Sequence, residues 1–166
     1  MIVLVDTCVW SLALRRSNIN LSGEESRVVA LLSEVVLEGR ARMSGVVRQE
    51  LLSGVRHQAQ FETLLAATRA FDDVPLTAAD YEEAAICDNL CRAGGISGST
   101  TDFLLCAIAL RRQWAILTVD NDFAHYARKL DLQILPGAPQ PLTSGPQAQE
   151  MRLGFSSYPA ARKTAP

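Results

Sequence analysis

The sequence contains no long apolar run. No stretch reaches the roughly 18–20 consecutive apolar residues that a membrane-spanning helix requires. The first six residues, which end in Asp6, also lack the basic and small-residue segments of a secretion signal. We therefore expect a cytoplasmic protein with no membrane segment. Its 166 residues, 48% hydrophobic and 20% charged, fit one globular α/β domain with a substantial core.

Soft metal ligands and aromatic residues are also scarce. The four cysteines form no C-x-x-C pair, and the two histidines have no metal-ligand spacing, so a zinc motif is excluded. Unpaired cysteines of this kind are typical of a reducing compartment, and Cys106, inside an apolar run, is expected in the core. Aromatic residues make up only 6%, and they form no evident platform for stacking nucleic-acid bases.

The net charge of −2 argues against indiscriminate nucleic-acid binding, but the charge is unevenly distributed. Setting aside four carboxylates considered below leaves 14 acidic residues against 16 basic ones, of which 14 are arginine. The remainder of the chain is therefore mildly basic, and arginine is well suited to phosphate contacts.

Short apolar segments alternate with helical patterns. Residues 2–5 form an unbroken apolar run that predicts a strand buried on both faces. Residues 99–112 are apolar almost all round, which predicts a central helix. Further strands are predicted over residues 42–45, 74–76, 114–118 and 132–135, and further helices over 24–39, 46–54, 57–71, 77–93 and 121–129. This alternation predicts a three-layer α/β/α sandwich with a central, mainly parallel sheet.

The domain boundary is predicted near residue 135. Six of the seven prolines fall between Pro136 and Pro166. We therefore expect residues 1–135 to form the folded domain and residues 136–166 to form a proline-rich tail with little regular structure.

Four carboxylates are predicted at one edge of the sheet. Asp6 directly follows the first strand, Asp120 follows the strand near residue 117, Asp102 opens the helix before that strand, and Glu50 lies on the helix after the second strand. Ligands bind beyond the carboxyl ends of strands in open parallel sheets. Two carboxylates about 5 Å apart repel by roughly 3 kcal/mol at an effective dielectric of about 20. Several ionised together need a cation, and oxygen ligands suit Mg²⁺ or Mn²⁺ better than zinc.

Each acid also has a local alternative. Asp6 could cap the next helical turn, Asp102 fits a capping box with Ser99, and Asp120 or Asp122 could cap the following helix. Glu50 could be a solvated helix residue.

The identity of the fourth acid is open between Asp120 and Asp122, and we favour Asp120 because it is nearer the strand end. Thr7 and Thr118 are candidates to orient water or a ligand through their hydroxyl groups.

Four segments together resemble the motifs of PIN-domain ribonucleases, in the same order: residues 2–10 (IVLVDTCVW), 44–54 (SGVVRQELLSG), 101–109 (TDFLLCAIA) and 117–123 (LTVDNDF). The resemblance implies a PIN-like α/β/α fold and Mg²⁺- or Mn²⁺-dependent endonuclease cleavage of RNA. If metal-bound water attacks the phosphate in line, the products carry 5′-phosphate and 3′-hydroxyl ends. The resemblance further implies Asp6 and Asp102 as principal metal ligands, Glu50 completing the shell directly or through water, and Asp120 as the fourth acid.

The resemblance also implies partners. Short single-domain members of this family are mostly VapC-type toxins of bacterial toxin–antitoxin pairs, which dimerise and are silenced by a small antitoxin. Four arginines flank the first two acidic motifs and are candidates for RNA phosphate contacts, namely Arg15, Arg16, Arg48 and Arg56.

An apolar stripe from Val28 to Val36, extended by Leu37, could contact a partner helix or a second subunit, or could be core.

Three other functions compete with the toxin hypothesis. One is a housekeeping RNA-processing nuclease that uses the same site. A phosphohydrolase of the D-x-D type is disfavoured, since no second aspartate follows Asp6 by two residues. A catalytically silent RNA-binding module is disfavoured by the intact set of acids.

Overall fold

The computed structural model describes residues 1–15 and 21–135, so the predicted tail 136–166 and Arg16 lie outside the described residues. A sheet of four strands runs through the described part in the order β2-β1-β3-β4. The strands are β1 (Val3–Val5), β2 (Ala41–Arg42), β3 (Ala115–Leu117) and β4 (Gln133–Ile134). Each pairing is parallel, which confirms the predicted kind of sheet.

Seven helices accompany these strands within the described residues. They are α1 (Thr7–Arg15), α2 (Gly23–Leu37), α3 (Gly45–Leu52), α4 (Gln58–Thr68), α5 (Ala78–Ala93), α6 (Thr100–Arg112) and α7 (Asp122–Tyr126). Helix α1 contacts α2, α3 and α4, and α5 packs along α6. The predicted α/β/α architecture is confirmed. No helix in residues 1–15 and 21–135 has the length and apolar character needed to cross a membrane.

The core is centred on the two inner strands and on α6. Every residue of β1 and β3 is buried, as are the seven consecutive residues from Phe103 to Ala109 in α6. This agrees with the prediction of a central helix that is apolar on nearly all sides. Burial of a large apolar side chain contributes about 1.5–3 kcal/mol, so these elements dominate the stability of the domain.

Helix α1 was not predicted beyond a capped turn after Asp6. The segment continues the apolar run of β1, and its β-branched residues carry little helix preference of their own. Tertiary packing determines its structure, because the helix buries Val9, Trp10 and Leu12 against the core.

The strand predicted over residues 74–76 is reduced to an isolated bridge between Met43 and Asp73. Val74 donates its N–H to the carbonyl of Met43 at 3.0 Å. Pro75 follows at once and has no N–H to continue a ladder, so the pairing stops there. The second strand also ends earlier than predicted, because Ser44 already occupies the N-cap position of α3.

The apolar stripe of α2 lies mainly in the core. Val28, Leu32 and Val35 are buried, whereas Leu37 at the end of the helix is 88% exposed. The stripe therefore belongs largely to the fold, and Leu37 is the part of it that remains at the surface.

Asp80 connects α5 to α6 through a buried ion pair. Its carboxylate, in a residue only 1% exposed, accepts hydrogen bonds from Arg111 Nε at 3.0 Å and Arg112 Nη1 at 2.7 Å. It also accepts the N–H of Thr77 at 2.8 Å and so closes the predicted capping box of α5. The hydrogen bond from Arg112 holds the pKa of Asp80 well below its ordinary value, against the opposing effect of burial. The ionised carboxylate is therefore favoured by folding.

Replacement of this carboxylate tests how much the ion pair contributes. We expect Asp80→Asn to lower the free energy of unfolding at pH 7 by about 2–4 kcal/mol, because two arginines lose a buried partner. A depressed pKa contributes stability that is present above the unfolded-state pKa of about 4 and is lost as pH falls below it. The difference between wild type and variant, measured by urea denaturation, should therefore be smaller at pH 3 than at pH 7.

Asp88→Asn is the matched control on the same helix. Asp88 pairs with Arg92 at 2.9 Å, and 66% of the arginine side chain is exposed. Such exposed pairs contribute only about 0.3–0.5 kcal/mol. Equal losses for Asp80→Asn and Asp88→Asn would contradict the importance assigned to the buried pair.

Candidate functional site

The candidate site lies between the two inner strands of the sheet, where the order in which strands are added changes direction. The connection from β1 leads to β2 on one side, whereas β3 leads to β4 on the other, so the reversal falls between β1 and β3. Asp6 donates its N–H to the carbonyl of Leu117 at 3.0 Å. The residues that follow these two strands, Asp6 and Thr118, therefore lie side by side at the carboxyl edge. Open α/β sheets bind ligands at this position.

Asp6 is buried and receives three hydrogen bonds. The Thr7 N–H donates to Oδ1 at 2.6 Å, while the Thr118 hydroxyl at 2.7 Å and the Cys8 thiol at 2.9 Å donate to Oδ2. Burial raises the pKa of Asp6, the three hydrogen bonds oppose this, and the negative charge of Asp102 raises it further. A negative charge at this position is therefore costly, and a cation beside it would offset that cost.

Glu50 is joined to Asp6 through one residue. Thr7, whose N–H binds Asp6, donates its hydroxyl to Glu50 Oε2 at 2.5 Å. The Glu50 side chain is exposed on α3, so Thr7 connects a buried acid to one that reaches solvent. Thr7 is therefore a bridge between two carboxylates, and its role in orienting water or a ligand stays a prediction.

The backbone of Asp120 is joined to Asp6 through Thr118. The buried Thr118 hydroxyl donates to Asp6 and accepts the N–H of Asp120 at 2.9 Å. The carboxylate of Asp120 accepts the N–H of Asp122 at 2.9 Å, which forms a turn into α7. Both aspartates are exposed. The preference for Asp120 as the fourth acid stays a prediction, supported by its hydrogen-bonded connection to Asp6.

Asp102 caps helix α6, as its local alternative predicted, and its charge also acts on Asp6. It forms the capping box of α6: its N–H donates to Ser99 Oγ at 3.0 Å, and its Oδ2 accepts the Ser99 N–H at 3.1 Å. The same oxygen accepts the hydroxyl of Tyr126 at 3.1 Å. Its charge nevertheless acts on Asp6. Tyr126 was not predicted, and its position in the apolar pattern of the last helix carries no signal of a polar contact with Asp102.

The acids share one edge of the sheet without forming a complete metal shell. Among residues 1–15 and 21–135, no group of three or more His, Cys, Asp or Glu side chains is arranged to hold one metal ion. The chemistry of the acids still fits Mg²⁺ or Mn²⁺, since they offer carboxylate oxygens. Burial raises the pKa of the adjacent Cys8 thiol to about 12, so this thiol is neutral and adds no thiolate ligand that would favour zinc.

Two of the predicted RNA-contacting arginines have structural partners. Arg15 donates to the carbonyls of Leu51 at 2.8 Å and Ser53 at 3.2 Å, at the end of α3.

Arg48 donates to the carbonyls of Thr68 and Phe71, both at 2.6 Å, and pairs with Asp73. Any RNA contact of Arg48 would compete with these bonds. Arg56 is exposed in the segment after α3, and Arg16 lies outside the described residues.

The parallel sheet and the acids at its carboxyl edge define an α/β protein with a candidate site for a divalent cation. Residues 3–129 match the family model described as PIN domain. The chain belongs to the PIN domain family, whose members are generally nucleases.

Several solved structures have a similar fold. FitAcB from Neisseria gonorrhoeae is 18% identical with a TM-score of 0.64, covering 82% of this chain and 98% of that chain. VapBC2 from Rickettsia felis, bound to a promoter DNA fragment, is 15% identical with a TM-score of 0.60, covering 81% and 98%. VapBC-5 from Mycobacterium tuberculosis, of a toxin–antitoxin family, is 17% identical with a TM-score of 0.57, covering 80% and 95%. A sequence comparison with curated proteins finds no match.

Removal of the Thr118 hydroxyl tests whether this residue holds the edge together. Thr118→Val would leave the Asp120 N–H and a buried oxygen of Asp6 without their shared partner. We expect the free energy of unfolding to fall by about 1–3 kcal/mol, measured by urea denaturation. Thr63→Val is the control, because Thr63 is exposed and bonds only within α4. A Thr118→Val variant as stable as Thr63→Val would show that the bridge contributes nothing.

Proposed function

We propose that this chain is a metal-dependent endoribonuclease that acts in the cytoplasm as the toxin of a toxin–antitoxin pair. The observation that supports this most directly is the hydrogen-bonded connection of Asp6 to two other acidic residues. Thr7 connects it to the carboxylate of Glu50, and Thr118 connects it to the backbone N–H of Asp120, while the charge of Asp102 raises its pKa. Acids held together in this way are unfavourable in an isolated domain but useful to a protein that binds a cation.

The four acids would hold Mg²⁺ or Mn²⁺. Asp6 and Asp102 would be the principal ligands, Glu50 would complete the shell directly or through water, and Asp120 would be the fourth acid. When bound, such a metal neutralises phosphate oxygens and lowers the pKa of water.

The protein's own contribution is to fix its acids. The hydroxyl groups of Thr7 and Thr118 orient Glu50 and Asp6, and burial keeps solvent away from the Asp6 carboxylate. The carboxylates act as ligands and do not attack the phosphate themselves. Hydrolysis by water then leaves 5′-phosphate and 3′-hydroxyl ends, whereas 2′,3′-cyclic phosphate ends would contradict this mechanism.

The toxin assignment rests on the resemblance of the motifs and on the fold. VapBC-5, one of the similar structures, is described as a member of a family of toxin–antitoxin systems. We therefore propose a small antitoxin as a partner and a homodimer as the assembly. The exposed Leu37 at the end of α2 offers apolar surface for such contacts. An open reading frame for a small DNA-binding protein directly upstream would favour this role over a housekeeping RNA-processing nuclease.

Loss of the central carboxylate should abolish activity. We expect Asp6→Asn to lower Mn²⁺-dependent RNA cleavage by at least about 100-fold, because the metal contributes several kcal/mol to the transition state. Wild type expressed in bacteria should arrest growth and degrade RNA, and Asp6→Asn should do neither. The cleavage assay is followed on purified full-length chain with and without a chelator.

Asp88→Asn is the matched control, since Asp88 lies in an exposed ion pair on α5 and should leave cleavage unchanged. Equal activity of wild type and Asp6→Asn would contradict the metal-dependent mechanism. A wild type that binds RNA without cleaving it would favour the silent RNA-binding module.

Two further variants decide the fourth acid. Asp120→Asn and Asp122→Asn remove one carboxylate each from the same exposed turn. We expect Asp120→Asn to reduce cleavage by roughly 10-fold or more and Asp122→Asn to reduce it less, because Asp120 is nearer the strand end and its backbone N–H is held by Thr118, which also binds Asp6. Initial rates over a range of Mn²⁺ concentrations measure the difference, and the reverse order would assign the fourth position to Asp122.

A further inference from the structure

We propose that Tyr126 is a positioning residue that fixes the carboxylate of Asp102 for metal binding, and that Gly98 is the glycine which makes room for it. The inference rests on the proposed function of the acidic site. It adds two residues that lie outside the four acids and their threonine bridges. Neither residue touches the proposed substrate, and both act through Asp102.

The tyrosine is held rigidly by its surroundings. Tyr126 is the last residue of α7 and is 0% exposed, so its hydroxyl needs a partner within the protein. Its ring lies 5.1 Å from the ring of Phe103 and 5.4 Å from the ring of Phe123, between centroids. These two neighbours fix the plane of the ring, and the hydroxyl then reaches Asp102 Oδ2 at 3.1 Å.

Two donors meet on a single oxygen of Asp102. The Ser99 N–H and the Tyr126 hydroxyl both donate to Oδ2, at 3.1 Å each. A carboxylate with one donor can still rotate about its last torsion, whereas two donors from different elements fix its plane. Oδ2 is thus occupied by hydrogen bonds within the protein, and Oδ1 is the oxygen that would bind a cation. Outer hydrogen bonds of this kind orient metal-binding carboxylates generally.

The close approach of the tyrosine requires glycine at position 98. A Cβ atom added to Gly98 would lie 2.3 Å from the Tyr126 hydroxyl oxygen and 2.7 Å from Cζ. Both distances are below van der Waals contact, so a side chain at position 98 requires the Tyr126 ring or the loop at Gly98 to move. Either movement would change the contact between the hydroxyl and Asp102.

This contact also couples two parts of the site. Helix α7 begins at Asp122, next to the candidate fourth acid Asp120, and ends at Tyr126. The same five-residue helix therefore follows one acidic motif and supports the carboxylate of another. A displacement of α7 would change both ends of the acidic edge together.

The test measures metal affinity directly. Mn²⁺ is titrated into the full-length, RNA-free chain by isothermal calorimetry for wild type, Tyr126→Phe, Gly98→Ala and Asp102→Asn. We expect Tyr126→Phe and Gly98→Ala each to weaken Mn²⁺ binding by about 10-fold. The Mn²⁺ concentration for half-maximal RNA cleavage should rise by a similar factor, and cleavage should recover at saturating Mn²⁺. Because bound metal would also rescue a destabilised fold, thermal unfolding of the metal-free variants separates lost affinity from lost stability.

Thr68→Val is the control for loss of a buried hydroxyl. Thr68 is 0% exposed and donates to the carbonyl of Leu65 at 3.2 Å, on α4. Its variant should lose stability in thermal unfolding while keeping wild-type Mn²⁺ affinity. If Tyr126→Phe fails to fold, Gly98→Ala carries the same test with the phenol retained.

The outcomes separate this inference from the proposed function. Wild-type Mn²⁺ affinity in a folded Tyr126→Phe or Gly98→Ala variant would overturn the positioning role. A wild-type chain that binds no Mn²⁺, or an Asp102→Asn variant that binds it normally, would instead refute the metal site itself.

Discussion

The pairing of β1 with β3 is the constraint on which the site depends. Three consecutive residues of each strand are in register, and the next hydrogen bond runs from the Asp6 N–H to the Leu117 carbonyl. That bond sets the Asp6 carboxylate beside the Thr118 hydroxyl, and Thr118 in turn binds the Asp120 N–H. A shift of one residue in this register would turn Asp6 to the other face of the sheet and remove its hydrogen bond with Thr118.

Two buried aspartates, Asp6 and Asp80, lie in opposite electrostatic environments. The ionised carboxylate of Asp6 would be more stable at an exposed position, since burial and the charge of Asp102 both raise its pKa. The buried Asp80, in contrast, is paired with two arginines, and its pKa is depressed. The fold therefore contains one buried aspartate whose ionised form is favoured and one whose ionised form is disfavoured, and the second lies at the sheet edge where open α/β sheets bind ligands.

The sequence was sufficient to predict those elements whose residue pattern is contained within one short segment. The buried strand before Asp6, the apolar helix after Asp102 and the capping boxes at Ser99 and Thr77 are all readable from neighbouring residues. The contacts that were missed join distant segments, such as Tyr126 with Asp102 or Asp80 with Arg112. No periodicity encodes such a pair, because each partner satisfies its own helix pattern whether or not the other is present.

The two arginines that hold helix α3, Arg15 and Arg48, have a consequence for Glu50. Helix α3 has only eight residues, too few to be stable alone, yet Arg48 fastens it to the end of α4 and Arg15 holds its last carbonyls. Its backbone is thus already ordered before any ligand arrives. The conformational entropy that Glu50 gives up on binding a cation is confined to its side-chain rotamers, about 1.5–2 kcal/mol at most, with no contribution from folding of the helix.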